Sequence, residues 1–176
     1  PARQAAINAG IPNSKPAHMI NQVCGSGLRA VVSGYQSIKL GESLNVIVGG
    51  QENMSITPHS IFYRDEKKFS EDRLSDTMLK DGLIDAFNNY HMGVTAENVA
   101  KKFDISRQTQ DEFALNSQKK TEKAINNNRF NDELIKVDLD GSLLAYDEHP
   151  RLDLKMSDLE KLKTVFKKDG TVTPGN

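Results

Sequence analysis

The chain has a single cysteine, Cys24, set in Asn21-Gln22-Val23-Cys24-Gly25-Ser26-Gly27-Leu28. An apolar segment precedes it and a helical pattern follows, so the thiol falls in a strand-to-helix turn. Such a turn lifts a side chain above a sheet, as the nucleophile elbow does in serine hydrolases. Unpaired N–H groups and the dipole at a helix N-terminus favour a thiolate there. Gly25 and Gly27 let backbone and substrate approach closely. The chemistry this favours is nucleophilic attack by sulfur. A lone cysteine is also commonly a buried packing residue, and the residues alone leave both readings open. The four histidines and the cysteine show no metal-ligand spacing, so no metal is expected. No glycine-rich loop carries a phosphate-loop lysine.

The elements that must position Cys24 are legible on both sides of it. Ala17 to Val23 is a short strand candidate. Leu28, Val31, Val32, Tyr35 and Ile38 then recur at helical spacing, with Gly41 as the stop. Leu44-Asn45-Val46-Ile47-Val48, bounded by Gly49-Gly50, reads as a buried strand. Strand, helix, strand in about 35 residues is a βαβ unit, which predicts an α/β fold with a parallel sheet. Residues 55–90 lack a sustained period and include the charged cluster Arg64-Asp65-Glu66-Lys67-Lys68. Beyond them the sequence predicts helices over Ala96–Phe103, capped by Thr95, and Arg107–Asn126, capped by Ser106. Glu133–Leu139 alternates like a strand, and Ser157 with Glu160 forms a capping box opening a short helix. Asp169-Gly170 reads as a turn. The expected division is a core piece over residues 1–53 and an inserted subdomain over residues 54–176.

Composition narrows the function classes. The 176 residues carry 23 basic and 24 acidic side chains, a formal net charge of −1, and 37% are hydrophobic. That balance argues against a nucleic-acid binder, and no apolar run approaches the ~18 residues of a membrane helix. One cysteine allows no internal disulfide, so nothing argues for secretion and a cytoplasmic protein is expected. The chain starts at Pro1 within a helical pattern and stops at a Pro174-Gly175-Asn176 turn. The expectation is an internal piece of a longer protein.

Asn21 to Ala30 (NQVCGSGLRA) closely resembles the reactive-cysteine motif of thiolases. The resemblance continues in order through Gly49 to Ser55 (GGQENMS), Lys80 to Phe87 (KDGLIDAF), His91 to Ala100 (HMGVTAENVA) and Gln110 to Ala114 (QDEFA). It ends with Asp147 to Arg151 (DEHPR) and Lys168 to Thr173 (KDGTVT), and so covers essentially the whole chain. His91-Met92 resembles the short-chain, acetoacetyl-CoA type more than the broad-range type. The resemblance implies a partial thiolase-like fold and acetyl-CoA C-acetyltransferase activity. By it, Cys24 takes an acetyl group from acetyl-CoA as a thioester, and a second, deprotonated acetyl-CoA attacks to give acetoacetyl-CoA. The Cys24 N–H helps to bind the oxyanion. His91 and Met92 line the acyl pocket, Leu83 and Phe166 lie near the pantetheine and acyl end of CoA, and Arg151 meets its nucleotide end. Each of these also has a plainer reading, as core packing or a solvated surface charge.

The same resemblance implies no cofactor besides the CoA carried by the substrate. It implies a homotetramer in which residues 56–80 join dimers. The family's general-base His, second catalytic Cys and oxyanion-hole Asn have no counterpart in residues 1–176, so this piece alone is expected not to turn over. The alternatives are a broader 3-ketoacyl-CoA thiolase of fatty-acid degradation, a ketoacyl or hydroxymethylglutaryl-CoA synthase, and a non-catalytic thiolase-like binding protein. A further one is an oligomerisation module. Gly25-Ser26-Gly27 after an intact Cys24 favours the thiolase pattern over the synthases and the binding relatives.

Overall fold

In a computed structural model describing residues 1–64 and 69–176, the backbone groups into two units, Pro1–Gly82 and Leu83–Asn176. In the first unit, α1 (Ala2–Asn8) is followed by an irregular stretch and then α2 (Ser26–Lys39). Helix α2 forms where the 3.6-residue period lies. It ends as glycine chemistry dictates: Gly41 takes φ +74°, its N–H donates to the Ile38 carbonyl at 3.1 Å, and Glu42 N–H reaches the Ser37 carbonyl at 3.0 Å.

The strands expected on either side of α2 differ from the sequence reading. Residues 17–23 and 44–48 are irregular, without ladder partners among the described residues. A strand is defined by hydrogen bonds to a neighbour, and an apolar run without one remains an unpaired segment. Residues 46–48 do pack on α2. A Cβ added to Gly34 would lie 2.7 Å from Val48 Cγ1 and 3.3 Å from Val46 Cγ1, so glycine permits the close approach. On the other face Ile47 is 85% exposed, which contradicts the expected full burial of this run.

From Met54 the first unit is built from short pieces: a 3-10 turn at Met54–Ile56, β1 (His59–Ser60), a second 3-10 turn at Glu71–Arg73 and β2 (Ser75–Asp76), and it ends within a π turn at Leu79–Leu83 whose last residue belongs to the second unit. Strands β1 and β2 pair antiparallel, His59 opposite Asp76. Within this hairpin an Arg73 amino group donates to the Phe62 carbonyl at 2.7 Å, and Lys80 Nζ, from the π turn that follows, lies 4.6 Å from the Phe62 ring centroid. Asp65 to Lys68 of the charged cluster lie outside the described residues.

The second unit contains α3 (Met92–Lys102), α4 (Arg107–Asn126), the hairpin β3 (Val137–Leu139) and β4 (Ser142–Leu144), and α5 (Met156–Glu160). Ser106 caps α4 as expected, its hydroxyl accepting from Thr109 N–H at 3.1 Å. Three other elements depart from the sequence reading. Helix α3 starts at Met92 with His91 as its cap, a full turn before Thr95. Thr95 lies inside the helix, its hydroxyl buried without a hydrogen-bond partner among the described residues. Helix α5 starts before Ser157, and Asp158 provides the reach-back, accepting from Lys155 N–H at 3.1 Å. Of Glu133–Leu139 only the last three residues are strand. Asp140 and Gly141, at φ +52° and +89°, turn the chain into β4.

The core of the second unit is small. Its buried apolar side chains include Ala100, Leu115 and Leu159, the last only 2% exposed. Charge completes the packing of α5 on α4. The Arg107 guanidinium pairs with the buried Asp111 carboxylate at 2.7 Å and donates to the Leu159 and Leu162 carbonyls at 2.6 and 3.2 Å.

Candidate active site

In the first unit the thiol of Cys24 is free and exposed. It sits two residues before α2, whose N-cap is Gly25. The turn that presents it is tightly bonded. Asn21 Oδ1 accepts from Val23 N–H at 3.0 Å, Gly25 N–H donates to the Gln22 carbonyl at 3.0 Å, and Ser26 N–H to that of Val23 at 3.1 Å. The Ser26 hydroxyl accepts from Gln22 N–H at 2.8 Å and donates back to the Val23 carbonyl at 2.7 Å. Val23 is held at φ +48°. A β-branched residue there is a genuine outlier, costing about 1–3 kcal/mol, and persists only because its surroundings enforce it. The left-handed residue and the helix start flank Cys24, which stays exposed between them. Gly49-Gly50 return to the same place: a Cβ on Gly50 would lie 4.0 Å from the Gly27 Cα. The arrangement can expose a sulfur nucleophile beside glycine-lined backbone.

The second unit holds the other candidates. His91 Nδ1 accepts from Gly93 N–H at 3.0 Å, capping α3. That bond leaves the neutral ring's proton on Nε2, available as a donor. The Phe166 ring stacks on His91, centroids 4.7 Å apart and planes 22° apart. Gly93 makes room for it, since a Cβ there would overlap the ring. Leu83 ends the π turn and precedes Ile84, which bridges to His91. The loop between closes on Asp85, whose carboxylate accepts from Phe87 and Asn88 N–H, each at 2.8 Å. Those backbone bonds, Asn88's first and then Phe87's, hold the Asp85 carboxyl below its usual range. Met92 is the first residue of α3, beside His91. Arg151 lies apart from the stacked pair in the hydrogen-bonding pattern: its side chain is exposed, and its N–H donates to Gln118 Oε1 on α4 at 2.9 Å. The structure thus brings His91 and Phe166 into contact; Met92 follows His91 in the chain, and Leu83 precedes the residue that bridges to His91.

Sequence reasoning missed a buried polar network behind the stacked pair. Glu97, 5% exposed, accepts from Thr171 N–H at 2.7 and 3.0 Å, Val172 N–H at 2.8 Å and the Thr171 hydroxyl at 3.0 Å. Asn176 Nδ2 donates to Asp111 Oδ1 at 2.7 Å and to the Thr171 carbonyl at 3.0 Å. Gln110 Nε2 donates to the Thr171 hydroxyl at 2.9 Å. The available signals were the i, i+4 pair Arg107 and Asp111, and an acidic residue between Gly93 and Ala100 on one helix face.

The "Thiolase, N-terminal domain" family matches residues 1–176. The chain belongs to the thiolase family. An acetyl-CoA acetyltransferase of Paracoccus denitrificans is 46% identical to it over 180 residues, covering 100% of this chain and 46% of that protein. The solved Bacillus anthracis acetyl-CoA acetyltransferase superposes with a TM-score of 0.87 at 36% identity, over 99% of this chain and 45% of the other. Human mitochondrial 3-ketoacyl-CoA thiolase, solved in complex with CoA, gives 0.89 at 37%, with the same coverage. This thiolase-family chain therefore has the α/β thiolase-like fold its motifs imply, and it spans about half the length of the curated relatives it matches. The course of the backbone is shared even where residues 17–23 and 44–48 lack strand partners.

Glu97 gives this thiolase-family chain a defined acid response. Burial pushes its carboxyl up, but the N–H groups of Val172 and Thr171, the Thr171 hydroxyl and the nearby Lys167 outweigh that and hold it below the ordinary 4.5. Because the folded value is lower than the unfolded one, the carboxylate's contribution is complete above about pH 4.5 and lost as pH falls through the folded value. Thermal melts of wild type and Glu97→Gln from pH 7 to pH 3 check this. The gap between their melting temperatures is expected to be constant above pH 5 and to shrink below pH 4.5. A gap that widens on acidification contradicts it.

Proposed function

We propose that the full-length protein joins two acetyl-CoA molecules into acetoacetyl-CoA, and runs the reverse thiolysis, through an acetyl thioester on Cys24. The observation that carries this reading is the exposed Cys24 thiol at the strained turn into α2. Attack by the Cys24 sulfur on the acetyl carbonyl forms the enzyme thioester as the C–S bond to CoA breaks and CoA thiolate departs. A second acetyl-CoA gives up a methyl proton to a base that the family resemblance places outside residues 1–176. Its carbanion then forms the C–C bond as the Cys24–acyl bond breaks, restoring the thiolate. Dividing one difficult acyl transfer into two easier steps is what a thiolate offers.

In this reading His91 and Met92 bound the acyl group, with His91 Nε2 as a donor, while Leu83 and Phe166 meet the pantetheine end and Arg151 the nucleotide phosphates. CoA enters and leaves as part of the substrate, and no other cofactor is invoked. Residues 1–53 form part of the core domain and residues 54–176 the CoA-facing subdomain. Residues 56–80 join dimers into a cytoplasmic homotetramer. The names of the curated relatives favour the acetyl-CoA substrate. The likeness to a 3-ketoacyl-CoA thiolase supports a second reading, in which longer 3-ketoacyl-CoAs of fatty-acid degradation are cleaved.

Thiolysis rates over a series of 3-ketoacyl-CoAs separate the two. Acetoacetyl-CoA is expected to give the highest kcat/KM, a preference for long chains favours the second reading, and no turnover of any member overturns both. Arg151→Ala is expected to raise the KM for CoA about tenfold with kcat nearly unchanged. A phosphate contact remote from the reacting carbon supplies uniform binding. Lost kcat at constant KM rejects the Arg151 assignment.

A further inference from the structure

The buried face of α3 reads Gly93, Glu97, Ala100, residues one turn apart along the axis. Two of them meet the same segment. Residues 164–172 form a closed loop: Val165 N–H donates to the Val172 carbonyl at 3.1 Å, Gly170 N–H to the Lys167 carbonyl at 3.1 Å, and the Thr164 hydroxyl to the Lys168 carbonyl at 3.3 Å. One side of the loop sets the Phe166 ring into the notch at Gly93, against His91. The other presents the N–H groups of Thr171 and Val172 to Glu97. Gly170 is required there, because a Cβ would overlap the Glu97 carboxylate.

Among the described residues, every hydrogen bond to the Glu97 carboxylate comes from this loop and none from its own helix. Burying a carboxylate is costly, and an apolar contact would hold a loop to a helix without that cost. What charge adds is direction: convergent N–H groups fix the loop's orientation as well as its distance.

We propose that Glu97 is a positioning residue of the thioester-binding site: by clamping the 170–172 turn it seats the Phe166 ring on His91. The substrate-binding part rests on the function proposed above, whereas the seating of the ring does not. Glu97→Gln keeps the volume but removes the charge and turns an N–H2 group toward N–H donors. The loop then loses its fixed orientation, and Phe166 leaves the His91 ring.

The test uses full-length protein. In Glu97→Gln the KM for acetoacetyl-CoA is expected to rise about tenfold with kcat within about threefold. Alkylation of Cys24 by iodoacetamide, which needs no CoA pocket, keeps its rate. The His91 ring-proton resonances, displaced in wild type by the stacked Phe166, move toward their unstacked positions. Glu97→Asp, retaining the charge, restores part of both. Phe166→Leu raises KM similarly, and the double variant is no worse than the worse single one, because both act through the same ring. Should Glu97→Gln fail to fold, Thr171→Val, which deletes one of the four bonds to Glu97 together with the one from Gln110, is expected to raise KM about threefold and shift the same resonances. A lowered melting temperature with unmoved KM and unmoved His91 resonances overturns the proposal, as does strict additivity in the double variant. Wild type without turnover of CoA thioesters removes the proposed function instead, and the His91 resonances still decide whether Glu97 seats the ring.

Discussion

Full-length protein carrying Cys24→Ser is expected to keep its fold and lose acetyl transfer by at least about a thousandfold, or about 4 kcal/mol of barrier. The side chain is exposed and sits ahead of the helix, and a change there that disturbs no packed contact is nearly neutral for stability. Chemically the exchange is severe. A hydroxyl is a far weaker acid than a thiol, and a helix terminus alone does not activate it. An ester is also a poorer acyl donor than a thioester, so any acyl-serine formed stalls before the carbon–carbon bond. Circular dichroism checks the fold and a condensation assay the rate. Near-wild-type turnover in Cys24→Ser contradicts the assignment.

Asp111→Ala is expected to cost about 3 kcal/mol of stability, the range for removing one partner of a buried ion pair. Asp111 is 1% exposed and receives both the Arg107 guanidinium and the Asn176 amide. Its loss strands the cation that ties α5 to α4 and leaves the Asn176 amide without its carboxylate partner. Arg107→Ala removes the tie to the Leu159 and Leu162 carbonyls as well, while the double variant is expected to cost less than the sum. Urea denaturation followed by helical ellipticity measures all three. A shift below about 1 kcal/mol for Asp111→Ala would show the network to be peripheral.

Local signals served the sequence reading well. Helix α2 follows from the spacing of Leu28, Val31, Val32, Tyr35 and Ile38, and α4 starts where Ser106 offers a hydroxyl. The motif around Cys24 identifies the family; the tight turn into α2 is present, but no strand among the described residues leads into it, and Val23 adds a strain that no residue pattern announced. Misreadings arose where the deciding partner is distant or atypical. Strand status for residues 44–48 depends on a neighbour, which an apolar run cannot specify. Helix α3 starts early because an imidazole nitrogen does the work usually given to a hydroxyl or carboxylate. Glu97 bonds to residues 74 and 75 positions away, beyond any local window. The Asp140-Gly141 turn was readable and went unread: it is a strong hairpin signal.

The covalent acetyl-Cys24 intermediate can be observed directly. Full-length protein is incubated with acetyl-CoA labelled in the acetyl group, quenched in acid, digested and sequenced by mass spectrometry. The expected result is a labelled acetyl group on the Cys24 peptide, formed from acetyl-CoA alone and discharged when free CoA is added. Label confined to any other residue, or sustained turnover with Cys24 never acylated, would contradict the mechanism.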